Sequence, residues 1–295
     1  MNFPIGSSTA LITPFRDGKL DEQTYFELAK RQIRLGIDII SPVGTTGESP
    51  TLSHDEHKRC IEIAIEAAKG TNAKVLAGAG SNSTAEAVDL AKFAQKAGAD
   101  AILVITPYYN KPTQEGLFEH YKMIANSVDV GVMLYNVPGR TAVDLTSATV
   151  KRLADECKNI YSIKEASGSI ERCVELGAIT PNTAVLSGDD TINYPVLANG
   201  GKGVVSVTSN ILPNKLKEMT NAASKGDYLS AKKVNDELFA LNKALFVETN
   251  PIPIKAAMYI AGLIPTLEYR LPLTKPSSET YKRLENVLTQ YEILK

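Results

Sequence analysis

The sequence predicts an α/β fold: a (β/α)8 TIM barrel over residues 1–226, then a small C-terminal helical domain of three helices over residues 227–295. Three observations carry this. Eight short β-rich runs recur at intervals of 19 to 36 residues, which mostly suits a strand followed by a helix. Helix start and stop signals fill the gaps. After Gly226 the strand signal ends and only helical segments follow.

The strand runs are Ala10–Phe15, Asp38–Val43, Lys74–Gly78, Ala101–Thr106, Val130–Tyr135, Ile160–Glu165, Ala184–Ser187 and Gly203–Val207. Several are nearly continuous in Val, Ile and Leu, as expected of parallel strands covered on both faces. Thr24–Leu35, Gln114–Asn126 and Thr146–Glu156 read as helices. Ser53 with Glu56, and Ser83 with Glu86, have capping-box spacing before the apolar stretches Cys60–Ala68 and Ala87–Ala97. Gly70 and Gly98 then mark the ends of those helices. No G-x-G-x-x-G fingerprint follows the first strand, which favours the barrel over an open dinucleotide-binding sheet. In the tail, Asp227–Val247, Pro253–Ile264 and Ser278–Leu294 read as helices divided by Thr249-Asn250-Pro251 and by the stretch from Pro265 to Pro276.

Composition narrows the function. The chain carries 32 basic and 33 acidic side chains, and a nucleic-acid binder more often shows a basic excess. No apolar run approaches the roughly 20 residues needed to span a bilayer. Met1 to Asp17 lacks the basic start and apolar core of a signal peptide. Cys60, Cys157 and Cys173 are three in number and far apart, so reduced thiols in a cytoplasmic protein are expected rather than a disulfide framework. His54, His57 and His120 make no convincing zinc set.

Chemistry in such a barrel sits where the strands' C-terminal ends meet their loops. Lys164 lies near the end of the sixth run, on the face opposite Tyr161 and Ile163 if the strand alternates. An ammonium confined there loses hydration, and the neutral amine can attack a carbonyl. Position alone leaves a second reading, a lysine reaching solvent or paired with Glu165. Thr45-Thr46 sits in a glycine-flanked turn whose N–H groups can hold an anion. Tyr135 and Tyr109 can exchange protons or simply pack. Arg140, after a Pro-Gly turn, suits a carboxylate or a surface ion pair.

The ordered set is more specific than its parts. GTTGE at Gly44–Glu48, TPYYNKP at Thr106–Pro112, YNVPGRT at Tyr135–Thr141, IKEASG at Ile163–Gly168, SGDD at Ser187–Asp190, GGKGVVSVTSN at Gly200–Asn210 and NPIPIK at Asn250–Lys255 span nearly the whole chain. With them the sequence resembles the pyruvate-dependent class I aldolase and N-acetylneuraminate lyase family. Within that family it resembles the branch that condenses pyruvate with L-aspartate 4-semialdehyde, on the route to lysine and diaminopimelate.

The resemblance implies a lyase in which Lys164 forms a covalent imine with pyruvate, with no cofactor and no metal. It implies proton relay through Tyr135, Thr46 and Tyr109, and amides of Thr45 and Thr46 on the pyruvate carboxylate. Carbonyls of Gly188 and Val205 would lie beside the lysine, and Arg140 would bind the second substrate's carboxylate. Tyr109 would reach across a dimer interface within a homotetramer, a dimer of dimers. Ser49, His54, His57, Asn82, Glu86 and Tyr108 resemble a feedback site for L-lysine, although Pro50 stands where alanine is frequent. Two alternatives stand beside this reading. One is N-acetylneuraminate lyase or a sugar-acid aldolase with the same imine chemistry. The other is a non-catalytic barrel that binds lysine or a keto acid.

Overall fold

The computed structural model describes residues 3–293. Eight parallel strands close into one barrel: β1 (Ser7–Ala10), β2 (Ile39–Ser41), β3 (Lys74–Gly78), β4 (Ala101–Ile105), β5 (Gly131–Asn136), β6 (Ile160–Glu165), β7 (Ala184–Ser187) and β8 (Gly203–Ser206). Each pairs with its neighbour in sequence, and β1 pairs with both β2 and β8 to close the ring. Helices lie between the strands, and three more follow the barrel over Tyr228–Ala244, Ile252–Ile260 and Ser278–Leu288. The last of these stops at Leu288 with Thr289 as its C-cap, so it is shorter than the expected Ser278–Leu294, whose final residue lies outside the described residues.

The wall has two apolar faces. Ile40, Val75, Ile102, Val104, Leu134 and Ile163 pack outward against the helices. Ile39, Leu76, Leu103, Met133, Leu186 and Val205 fill the interior. The cylinder is therefore a packed core with its chemistry confined to one end.

The first strand departs from expectation. It covers Ser7–Ala10 instead of Ala10–Phe15. Two of its three small polar residues are matched by partners: Ser7 Oγ donates to Asp38 Oδ2 at 2.8 Å, and Thr9 Oγ1 donates to Gln32 Oε1 at 2.6 Å, while the buried Ser8 Oγ has none among the described residues. The apolar run beyond it is interrupted by Pro14, and Phe15 joins a two-residue hairpin with Leu20. Burial of satisfied polar groups beat the plain hydrophobic count.

One of the two expected capping boxes forms. Glu56 N donates to Ser53 Oγ at 3.2 Å and Ser53 N donates to Glu56 Oε2 at 2.9 Å, opening the helix His54–Ala68. Ser83 makes no side-chain cap on the helix Thr84–Ala97. The Glu86 carboxylate is instead turned toward Ser81 and His54. Gly98 ends that helix in the left-handed region at φ 104°, where glycine carries no Cβ penalty.

Simple alternation fails at one point of β6. The register between β5 and β6 shifts, so Val132 faces Ile160 and Met133 faces Ser162. Tyr161 is the extra residue, and it packs with the interior cluster while Ile160 and Ile163 pack outside. The shift leaves Lys164 in register with Tyr135 on one side and Leu186 on the other. Both partners belong to the interior cluster, so Lys164 points into the barrel.

Candidate active site

Lys164 is 6% exposed, and its Nζ lies 4.1 Å from the centroid of the Tyr135 ring. The competing pairing with Glu165 is not made. Glu165 lies on the opposite face, where it accepts from Asn136 Nδ2 at 3.0 Å and from the amide of Ser167 at 2.7 Å. Among the described residues no carboxylate forms an ion pair with Lys164. A cation held by an aromatic face alone leaves the nitrogen without a fixed anionic partner.

Gly188 follows β7 directly beside this lysine. A Cβ built there would stand 2.9 Å from both Cγ and Cε of Lys164 and 2.8 Å from the Ala166 Cβ. The position admits only glycine while the lysine keeps its place. Val205 is buried on the interior face of β8.

Thr45, Thr46 and Gly47 form a single 3-10 turn after β2. The amides of Thr45 and Thr46 open that turn, where N–H groups have no internal partner. Thr46 is buried, and its Oγ1 accepts from Asn250 Nδ2 at 3.0 Å. Arg140 sits on the one-turn helix Pro138–Thr141, and its Nη2 donates to the Asn250 carbonyl at 3.0 Å. Tyr109 stands apart from the group. It is 89% exposed with φ 75°, so its ring projects from the surface of the single chain.

A cavity of about 370 Å³ is lined by Thr45, Tyr135 and Arg140. Its wall also includes Ser49, His54, His57, Glu86 and Tyr108, five of the six residues expected at a lysine site. Lys164 is not among the residues that line it; Tyr135 lines the cavity and also meets Lys164 through its ring. The sixth, Asn82, donates from Nδ2 to the Tyr108 carbonyl at 3.1 Å and so holds the loop bearing both tyrosines.

The charges in this region are fixed by their neighbours. Glu86 accepts from Ser81 Oγ and lies 2.7 Å from His54 Nε2. These contacts, the serine first, hold its carboxyl below the usual range. His57 Nε2 lies 2.8 Å from the Gly78 carbonyl, and burial pulls its pKa down. Among the described residues, no cluster of His, Cys, Asp or Glu side chains can hold a metal ion. The three cysteines are free and buried, and no helix among the described residues is long and apolar enough to cross a membrane.

Sequence reasoning reaches NPIPIK and GTTGE as motifs but gives no role to Asn250, Glu48 or Lys255. All three hold the candidate site from behind. A lysine inside the apolar run Ile252–Met258 is the available signal, since a buried lysine is almost always paired.

A buried lysine at the end of the sixth strand, with a tyrosine in register beside it and a close-fitting glycine just after the next strand, is the arrangement that imine chemistry in a class I barrel lyase requires. The comparisons identify which one. The model of the dihydrodipicolinate synthetase family matches residues 4–291, and the chain belongs to that family. It is 66% identical to the 4-hydroxy-tetrahydrodipicolinate synthase of a Nitratiruptor species, over 98% of each chain. The chloride-inhibited dihydrodipicolinate synthase of Acinetobacter baumannii, solved with pyruvate, is 44% identical, with a TM-score of 0.94 over 97% of this chain and 98% of that one. The Cyanidioschyzon merolae enzyme, solved with lysine bound, is 39% identical, with a TM-score of 0.94 over 98% of this chain and 99% of that one. The chain is an enzyme of this lyase class.

Proposed function

We propose that this chain condenses pyruvate with L-aspartate 4-semialdehyde through an imine on Lys164. The observation that carries the proposal is the Lys164 amine itself, buried inside the barrel beside Tyr135 with no carboxylate partner among the described residues. The amine adds to the pyruvate ketone and water leaves. Loss of a proton from the methyl carbon gives an enamine, whose carbon bonds to the aldehyde carbon of the second substrate. The lysine thereby stores the electron pair that free pyruvate would have to bear as a carbanion.

The remaining roles are those that the family resemblance implies. Tyr135, Thr46 and Tyr109 pass protons, the amides of Thr45 and Thr46 hold the pyruvate carboxylate, and the carbonyls of Gly188 and Val205 face the lysine. Arg140 holds the carboxylate of the semialdehyde. The exposure of Tyr109 in the single chain supports a homo-oligomer in which a second copy receives it. L-Lysine acts as inhibitor in the cavity lined by Ser49, His54, His57, Glu86 and Tyr108, with Asn82 behind it. Glu86, held ionised, suits its α-ammonium group.

Incubation with pyruvate and borohydride, followed by peptide mass spectrometry, tests the reaction. The expected result is one reduced adduct on Lys164. Labelling of another lysine, or none, removes the mechanism.

A further inference from the structure

Asn250 touches two residues of the proposed mechanism, and the mechanism assigns it nothing. Its Nδ2 donates to Thr46 Oγ1 at 3.0 Å, and its main-chain carbonyl accepts from Arg140 Nη2 at 3.0 Å. The residue is 5% exposed, and its Oδ1 has no hydrogen-bond partner among the described residues. A buried acceptor left unsatisfied costs stability. Docking the tail does not require that cost, because the fully buried Lys255–Glu48 pair five residues on already ties the tail to the same turn.

We propose that Asn250 is a positioning residue that sets the direction in which the Thr46 hydroxyl passes a proton. The inference rests on the reading of Thr46 as a relay. A hydroxyl has one proton and two lone pairs, whereas an amide NH₂ only donates. The Asn250 bond therefore occupies one lone pair of Thr46 and cannot accept its proton. One lone pair is left to receive a proton and the Thr46 hydrogen is left to be given away, which is what a relay needs. The bond also polarises the hydroxyl and makes it a better donor. Through its carbonyl the same residue holds Arg140, so relay and second-substrate arm are aligned from one point in the tail.

Asn250→Asp tests this in the full-length enzyme, because it preserves shape and replaces the donor with an acceptor. Borohydride trapping of pyruvate on Lys164 is expected to match the wild type, and KM for pyruvate is expected to change less than about twofold. At pH 8, kcat is expected to fall by about thirtyfold or more, within the range of a lost acid–base contribution. The deficit is expected to shrink as the pH falls, because a protonated carboxyl donates to Thr46 again. Among the described residues, Arg140 is the charged side chain hydrogen-bonded to residue 250, through the main chain, and it favours the ionised form. Asn250→Ala is expected to lose kcat with no such recovery; if it does not fold, the aspartate variant carries the test alone. A wild-type kcat in Asn250→Asp, or a deficit that is constant with pH, overturns the inference while leaving the imine mechanism intact. Absence of an adduct in the wild-type enzyme overturns the mechanism and this inference with it.

Discussion

Lys255 Nζ lies 2.5 Å from Glu48 Oε1, and neither side chain has any exposure to solvent. Glu48 ends the turn that begins with Thr45 and Thr46, in the left-handed region at φ 54°. Lys255 comes from the tail helix Ile252–Ile260. The ammonium also faces the rings of Phe15 at 4.4 Å and Tyr269 at 4.9 Å. Burial lowers the pKa of Lys255 and Glu48 opposes that shift. The tail is therefore part of the wall behind the candidate site.

Removing one partner strands a buried charge. Lys255→Met is expected to destabilise the fold by about 3–5 kcal/mol, read by denaturant unfolding. Adding Glu48→Gln to it is expected to recover much of the loss. Equal stability of the single and double variants would show that the pair does not compensate charge.

Gly188→Ala drives a methyl group to 2.9 Å from the Lys164 side chain. Something must shift at contacts that short, and the Lys164 side chain is the flexible one of the two neighbours, the other being the Ala166 Cβ. We expect imine formation with pyruvate to slow at least about tenfold, or about 1.4 kcal/mol in the barrier, with the fold retained by circular dichroism. Normal trapping kinetics would mean that Lys164 does not react from its observed position.

Arg140→Ala separates the two substrates. Trapping of pyruvate on Lys164 is expected to change less than about threefold, while kcat/KM for aspartate 4-semialdehyde falls about 100-fold, the scale of a lost charge-assisted pair. Equal loss in both measurements would refute the assigned role.

Glu86→Ala removes the carboxylate that Ser81 and His54 hold ionised. Initial rates without lysine are expected to stay near wild type. The lysine concentration for half inhibition is expected to rise about tenfold or more, one charge-assisted contact being worth at least about 1.4 kcal/mol. Unchanged inhibition places the effector elsewhere.

Acid sensitivity has a defined window. Burial lowers the pKa of His120 from 6.5 to about 4, with Nδ1 on the Thr84 hydroxyl at 2.9 Å and Nε2 without a partner among the described residues. The unfolded chain takes up this proton below pH 6.5 and the folded chain does not. Stability is therefore full above that pH and declines toward pH 4, by at most about 1.4 kcal/mol per pH unit. His57 is shifted in the same direction by burial. Glu56, held at about 2 chiefly by Arg270, adds a separate loss below pH 4.5. Denaturant midpoints across about pH 4–7 are expected to vary less in His120→Asn than in the wild type. Parallel curves would assign the loss to other groups.

Local patterns make the architecture legible before any coordinates. Lys74–Gly78, Ile160–Glu165 and Ala184–Ser187 are strands at the boundaries their residues suggest, and Gln114–Asn126 is a helix at its own. The first strand escapes such a reading because Ser7 and Thr9 owe their burial to Asp38 and Gln32, partners more than twenty residues away. Ser83 and Glu86 have the spacing of a cap, but hydrogen bonds to Ser81 and, across helices, to His54 draw Glu86 away. The motifs point to the reactive lysine and its neighbours, since the chemistry demands those residue types in that order.

The sequence by itself determined the repeating strand–helix units, the helical tail and the family, because periodicity, caps and motif spacing are local properties of the chain. Tertiary structure alone decided that Lys164 stands level with Tyr135, because the ladder between β5 and β6 shifts by one residue at Tyr161. It also decided that Asn250 meets Thr46 and Lys255 meets Glu48, across separations of 204 and 207 residues. Such contacts depend on how the barrel closes and where the tail returns, and no short-range pattern encodes either.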